Sequence, residues 1–318
     1  MKRIKIMIAL SVCSMMGLSF SCMDQPRTAK AEQTDTLKVL AWNIWHGGHS
    51  KAYPGIGCEG TIGILKHSNA DVILMVETYG AVHQVADSLG YYHRLLSSNL
   101  SVFSRYPITK TYTFPDSIST FNFGGVQIDV EGQPVRVFDT WLHYLPDTRL
   151  APVEKSEEQI IAWEEAGSRD EEIRTILNVL QPFLVQSDSI PVIIGGDFNS
   201  HSHLDWTVAA RDMYHHGGAV VRWPVSAMLE EAGFKDSFRE IHPNPAQYPG
   251  VTWLSGIGED APQRFDRIDY IYSHGNSIKT IHSETYNANL GDTLQMEGRD
   301  FFYASDHGFV LSTFKINR

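Results

Sequence analysis

Cysteine is scarce in this chain. Three occur in 318 residues, at positions 13, 22 and 58, and the first two fall in an N-terminal segment set apart from the rest. With only Cys58 left, no internal disulfide can hold the fold together, and no partner motif marks that thiol as a nucleophile. Positive charge is also short, 26 Lys and Arg against 37 Asp and Glu. Such a surface repels polyanions unless a local patch or bound cations reverse the field, which disfavours a broad nucleic-acid track. Internal repeats and low-complexity blocks are absent. The longest apolar run, Ile6 to Phe20, falls short of the roughly 18 residues of a membrane span.

That run follows Lys2, Arg3 and Lys5 and precedes Ser21-Cys22, the pattern of an export signal over residues 1–21. A Cys after a small residue at this point resembles the bacterial lipoprotein box, in which the Cys becomes a lipidated N-terminus and a membrane anchor; plain signal cleavage is the alternative. Removal of the three basic residues takes the net charge from −11 to −14. Residues 22–36 are polar and aperiodic and read as a tether. The remainder, 37–318 with 42% hydrophobic residues overall, has material for one large domain.

Within it, apolar strands repeatedly end in polar groups. Leu37 to Trp42 delivers Asn43 into a glycine-containing loop, Asp71 to Val76 ends in Glu77, and Val135 to Leu142 delivers His143. Pro191-Val-Ile-Ile194 runs into Gly195-Gly196-Asp197-Phe198-Asn199, where two glycines permit backbone approaches that a Cβ forbids. Arg267 to Tyr272 alternates and carries Asp269, and Gly308 to Phe314 follows directly on Asp306-His307. Helices are expected over 59–69, 81–90, 168–182 and 225–232. In the third, Ser168 and Glu171 form a capping box, Ile173, Ile176, Leu177 and Leu180 a core stripe, and Pro182 the stop. Ser101 to Ile108 reads as one strand. Residues 147–167 read as a charged, irregular, solvated stretch. His201, His203, His215 and His216, interleaved with Asp205 and Asp212, lack the second fixed-spacing pair of a zinc signature and read as a substrate-side loop.

A carboxylate closing a buried strand is costly unless paired or metal-bound. The oxygen donors Asn43, Glu77, Asp197, Asp269 and Asp306 suit a hard cation such as Mg²⁺. A His with an Asp to orient it suits general-base activation of water. Together these residue types describe metal-assisted hydrolysis of a phosphoester.

Trp42-Asn43, Val76-Glu77, Ser104-Arg105-Tyr106-Pro107-Ile108, Gly196-Asp197-Phe198-Asn199, Arg267-Ile268-Asp269-Tyr270 and Ser305-Asp306-His307 resemble, in type, order and spacing, the motifs of the endonuclease/exonuclease/phosphatase superfamily. The resemblance implies an α/β fold, a four-layer α/β/β/α sandwich of two packed mixed sheets flanked by helices. It also implies Mg²⁺, with Mn²⁺ as a substitute, held by Glu77 with Asn43 and Asp306. His307 would be the base, oriented by Asp269; Asp197 would position the water, Asn199 hold the phosphate and His143 serve the leaving group. The strand end departs from the common Thr-His-Leu. Either Thr140 keeps the register and Trp141 replaces the histidine, or Leu142-His143 holds it, and His143 is favoured.

The expected protein is an exported, monomeric phosphoester hydrolase, foremost a phosphodiesterase on a small or lipid-linked phosphate. A secreted nuclease is the alternative, with Arg211, Arg222, Arg239 and Arg264 available to receive a nucleic-acid backbone. A lipoprotein binding module without chemistry is the third, disfavoured by the complete set of acid, amide and histidine groups.

Overall fold

The computed structural model describes residues 35–49, 58–213, 216–254, 265–288 and 292–317. The export signal, Cys22 and most of the tether lie outside the described residues, as do His215 and Arg264. The fold begins slightly before the expected boundary: the first strand starts at Thr36, and Asp35 accepts the backbone N–H of Ile316.

Two six-stranded mixed sheets stack face to face. The first contains β1 (Thr36–Asn43), β2 (Val72–Val76), β3 (Tyr92–Leu95), β4 (Ser101–Ser104), β13 (Ile278–Tyr286) and β16 (Phe309–Ile316), in the order β13-β16-β1-β2-β4-β3. The second contains β5 (Ile108–Thr111), β6 (Phe123–Val130), β7 (Gln133–Trp141), β8 (Val192–Asp197), β9 (Lys235–Asp236) and β12 (Asp269–His274), in the order β5-β6-β7-β8-β12-β9. Two small hairpins, β10 (Trp253–Leu254) with β11 (Phe265–Asp266) and β14 (Thr293–Met296) with β15 (Arg299–Phe302), complete the strands. Among the described residues, only β1–β2 and β7–β8 pair in parallel.

The central strands are apolar on both faces because each face meets a layer. Val39, Ala41, Val72 and Leu74 pack against Val135, Val137, Ile193 and Ile271 between the sheets. On the outer side of the first sheet, Leu40, Trp42, Ile73 and Met75 meet Ile62, Leu65, Val82 and Val85 of α2 (Glu59–Ser68) and α3 (Val82–Leu89). On the outer side of the second, Phe138, Ile194 and Tyr270 meet Ile173, Ile176, Leu180 and Leu229 of α5 (Arg169–Leu184) and α6 (Pro224–Glu231). The order is therefore helix, sheet, sheet, helix. The sheets approach closely at Gly195, where a Cβ would lie 2.9 Å from Leu74 and 3.2 Å from Ala41 of the facing sheet.

Several local expectations are corrected. The single strand expected over 101–108 is two strands in different sheets, because the chain crosses over at Arg105-Tyr106-Pro107. The stretch 147–167 is not wholly irregular or solvated: it holds a short 3-10 turn at Thr148–Leu150 and the helix α4 (Glu157–Glu164), and Glu164 is fully buried against Arg169. Ser168 donates to Glu172 rather than boxing with Glu171, which pairs with Arg174, and α5 continues past Pro182 to Leu184. Asp269 is the first residue of its strand, not an interior one. Strands β3, β9, β10, β11, β13, β14 and β15 are not marked by the sequence pattern.

Candidate active site

The alternation that fills the inter-sheet core also builds the site. In β1 it continues from Val39 and Ala41 to Asn43, in β8 from Ile193 and Gly195 to Asp197, and in β12 from Ile271 back to Asp269. Asp197 and Asp269 stand opposite one another in register. The polar cluster is thus the open end of the inter-sheet layer, where strand side chains stop being covered.

His307, two residues before β16, reaches into this end. Its Nδ1 is 3.0 Å from Asp269 Oδ2 and its Nε2 is 3.8 Å from Asp197 Oδ2. Asn43 donates its amide to Asp197 Oδ2 at 3.1 Å and to Glu77 Oε1 at 3.2 Å, so two carboxylates converge on one nitrogen. Asn199 encloses Asp197 from the other side, through its backbone N–H at 2.9 Å and its side-chain amide at 3.1 Å. Gly196 is required just before it: φ is +132°, and a Cβ there would collide with the Thr140 carbonyl.

Backbone strain concentrates here. Eight non-glycine residues among those described have positive φ, and Trp45, His46, Glu77, Tyr79 and Asn199, five of the eight, lie in the site loops. The turn α1 (Trp45–Gly48) is left-handed at His46 and Gly47. It aims the N–H of Trp45 at Asn43 Oδ1 (2.9 Å) and that of His46 at Glu77 Oε2 (3.0 Å). Strain at these positions sets the direction of Glu77 and Asn43.

The electrostatics are lopsided. Within ion-pair distance of Glu77, Asp197 or Asp269, the only cationic partner among the described residues is His307. Burial raises the Asp197 carboxyl and the Asp269 carboxylate adds to this; His307 and the Asn43 amide oppose them, and the balance leaves Asp197 at about 7. Burial disfavours the charged imidazole of His307, but Asp269 and Asp197 outweigh it and hold its pKa well above the ordinary value. Asp197, Asp269 and His307 offer ligand atoms all within 4.8 Å of one another. An excess of buried carboxylate over cation, with oxygen donors converging, fits a divalent metal ion.

Not every expected residue joins the cluster. Asp306 is at the exposed rim between Ser305 and His307. Asn199 uses its amide on Asp197 and on the Leu142 carbonyl at 2.9 Å. Among the described residues, no hydrogen bond joins His143 to the cluster: its Nδ1 meets the Leu145 backbone at 3.3 Å and its ring contacts Tyr144. Trp141 is the residue in register with Asp197.

Part of the loop expected to face substrate is turned inward, while Asp212 stays exposed and His203 half-buried against Ser226 and Glu230. His201 and His216 flank Asp266 at 3.5 and 3.2 Å, packed on Trp206 and Trp223. Asp205 pairs with Arg239 (2.6 Å) and Arg267 (3.0 Å), and Arg267 also with Asp236 (2.7 Å), all buried. Arg239 is therefore unavailable to a nucleic-acid backbone, while Arg211 and Arg222 pair with Asp212 and Glu231. This buried network anchors the residues immediately before Asp269.

Supporting groups escaped the sequence reading. Fully buried Asn99 accepts the Glu77 N–H at 3.0 Å and donates to the Phe121 carbonyl at 2.9 Å. Thr252 accepts the N–H groups of Ile268 and Asp269, each at 3.1 Å, and Trp42 and Tyr303 donate to the His307 carbonyl at 3.2 and 2.6 Å. Asn99 sits in a Ser-Ser-Asn run that reads as an ordinary turn, and nothing local distinguishes it.

A carboxylate-rich centre with one histidine, at the edge of a two-sheet sandwich, is the site of a phosphoester-hydrolase fold. The chain belongs to the endonuclease/exonuclease/phosphatase family, whose model matches residues 40–307. The uncharacterized protein F14F9.5 of Caenorhabditis elegans is 30% identical to it over 259 residues, 75% of this chain and 79% of that one. In fold it is similar to D. rerio TDP2 complexed with single strand DNA product (TM-score 0.56, 15% identity, covering 88% of this chain and 98% of that one). The human Nocturnin catalytic domain with bound sulfate is comparable (TM-score 0.54, 15% identity, 89% and 95%).

Proposed function

We infer that this protein is a divalent-metal-dependent phosphodiesterase, with Mg²⁺ the favoured ion and Mn²⁺ a substitute. The observation that carries the reading is the convergence of Glu77, Asn43, Asp197 and Asp269 on a space whose only cationic neighbour among the described residues is His307. Glu77 and Asn43 would hold the ion, with Asp306 at the rim. When bound, the ion supplies charge neutralisation at the phosphoryl oxygens.

The protein's own groups carry the proton work. Asp269, at Nδ1, fixes the His307 ring so that Nε2 faces the space beside Asp197. There His307, in its neutral form, accepts the proton of a water that Asp197 holds; as the water oxygen bonds to phosphorus, the bond from phosphorus to the ester oxygen breaks, and that oxygen departs with a proton supplied on the His143 side. Asn199 brackets Asp197 and the phosphate side, and His143 is assigned to the leaving group. The solved structure of D. rerio TDP2 holds a single-stranded DNA product, which supports a nuclease as the second reading; the pairing of Arg211, Arg222 and Arg239 with acids weighs against it. Export, a single catalytic domain over 37–318 acting as a monomer, and lipidation at Cys22 complete the proposal.

A metal-supplemented screen of purified protein against bis-p-nitrophenyl phosphate, plasmid and single-stranded DNA, sphingomyelin, sugar phosphates and inositol phosphates tests it. Mg²⁺-dependent turnover of a small diester without DNA cleavage is the expected result. Cleavage of DNA alone would replace it with the nuclease reading, and inertness throughout would remove the enzyme. Detergent-phase partitioning that Cys22→Ser abolishes tests the anchor, and a soluble wild type contradicts it.

A further inference from the structure

We propose that the catalytic cluster is flanked by a stacking wall for a planar ring, so that the substrate is a phosphoester carrying a nucleobase or aryl group; this rests on the phosphoesterase reading above. Trp141 ends β7 directly in register with Asp197. In neighbouring parallel strands, paired residues point to the same face, so the indole flanks the cluster. Phe121 meets it edge-on, with ring centroids 5.6 Å apart at 88°, and the Tyr144 ring lies 6.2 Å from it, tilted by 39°. Phe121 is 37% exposed and Tyr144 53%. These are large rings left in water beside a reactive centre, rather than core.

The wall is held rigidly. Asn122 clamps the Trp141 backbone at both ends, accepting its N–H at 2.8 Å and donating to its carbonyl at 3.1 Å. The Phe121 carbonyl accepts from Asn99, whose other end holds the Glu77 N–H, so the wall and Glu77 share one strut. Rigid aromatic side chains lose little entropy when a flat partner stacks on them, and stacking tolerates any π-face.

Charge points to a small ligand. Among the described residues, the basic side chains of the loops leaving β7 and β8, Arg149, Lys155, Arg211 and Arg222, each have an acidic partner: Asp147, Glu154, Asp212 and Glu231. A long polyanion would need cations that are not committed elsewhere. One phosphate at the cluster and one ring on the wall meet what the surface offers.

Isothermal titration calorimetry in Mg²⁺ tests this with thymidine 5′-monophosphate and phenyl phosphate against ribose 5-phosphate and glycerol 3-phosphate. The two ring-bearing ligands should bind at least about tenfold more tightly than the ringless pair. Phe121→Ala and Trp141→Leu should each remove most of that preference, with circular dichroism unchanged, while Tyr92→Ala, an exposed ring on edge strand β3, keeps it. A preference for the nucleotide alone would narrow the ring to a base; one for both assigns any aryl group. Equal affinities for ring-bearing and ringless ligands in the wild type, or a preference that survives both substitutions, would overturn the wall. So would tighter binding of dihexanoyl phosphatidic acid than of the nucleotide, which would assign the surface to acyl chains. Turnover of small diesters without ring selectivity leaves the phosphoesterase reading standing; ring-selective binding without any turnover does the reverse.

Discussion

Asp269 and His307 meet at 3.0 Å, carboxylate to Nδ1, both buried, although 38 residues separate them in sequence. The contact leaves Nε2 as the ring nitrogen available to a substrate water. It depends on a long scaffold: Thr252 holds the backbone of Asp269, while Trp42 and Tyr303 hold that of His307. Asp269→Asn should therefore lower kcat by about 10²–10⁴-fold with KM little changed. Steady-state kinetics on bis-p-nitrophenyl phosphate check this, and a purely raised KM would assign Asp269 to binding instead.

The metal-free protein should lose stability as pH rises. His307 has a folded pKa above its unfolded value near 6.5, so its contribution is complete below that value and vanishes as pH climbs through the folded one. The Asp197 carboxyl, raised from 3.8 to about 7, binds its proton more tightly when folded, and its effect declines from about pH 3.8 up to about 7, so that only its last part adds to the loss above pH 6. Thermal melts in chelator should show Tm falling by several degrees between pH 6 and 9. Mg²⁺ should recover more of it at pH 9 than at pH 6, because the ion replaces protons. A Tm that rises with pH in chelator would contradict the charge balance.

Asn99 is a positioning residue for Glu77. Asn99→Ala should weaken Mn²⁺ binding about tenfold or more, as loss of an outer-shell partner does, while kcat at saturating metal stays within about threefold. Electron paramagnetic resonance titration reads the affinity directly. Lost stability with unchanged Mn²⁺ affinity would reduce the residue to a structural one.

Asp139, on β7 two residues before Trp141, is fully buried between the sheets, and among the described residues no donor meets either carboxyl oxygen at full hydrogen-bond geometry. Burial pushes it well above the usual carboxylate range, and the amides of Thr140, Ser101 and Met75 offset only part of this. A raised folded pKa means that wild-type stability falls as pH rises from the unfolded value of about 3.9. Asp139→Asn, which carries no charge, should melt as high as wild type at pH 5 and higher at pH 9. A mutant less stable at both values would show that the ionised carboxylate is needed.

The architecture was legible because strand ends are. Buried strands that stop at Asn43, Glu77 and Asp197 advertise their polar termini, and order along the chain did the rest. What sequence did not show is contact made across layers. Glu164 reads as part of a solvated run, yet its partner Arg169 ties the 143–146 carbonyls to the helix start. Arg239 reads as a free charge because nothing local shows that it and Arg267 neutralise Asp205 in the interior. Edge strand β13, with exposed Lys279 and His282 among its apolar residues, lacks the continuous run of the central strands. The strand at 101–108 failed for a different reason: hydropathy cannot tell one strand from two that continue into facing sheets.

The central claim is that Glu77 and His307 form one metal-dependent hydrolytic centre. Its most direct measurement is Mg²⁺-dependent turnover of bis-p-nitrophenyl phosphate by wild type, Glu77→Ala and His307→Ala, each checked for fold by circular dichroism. The account predicts robust wild-type turnover abolished by chelator, and both variants folded with turnover near background. Folded variants that retain near-wild-type rates, or a wild-type rate indifferent to chelator, would contradict it.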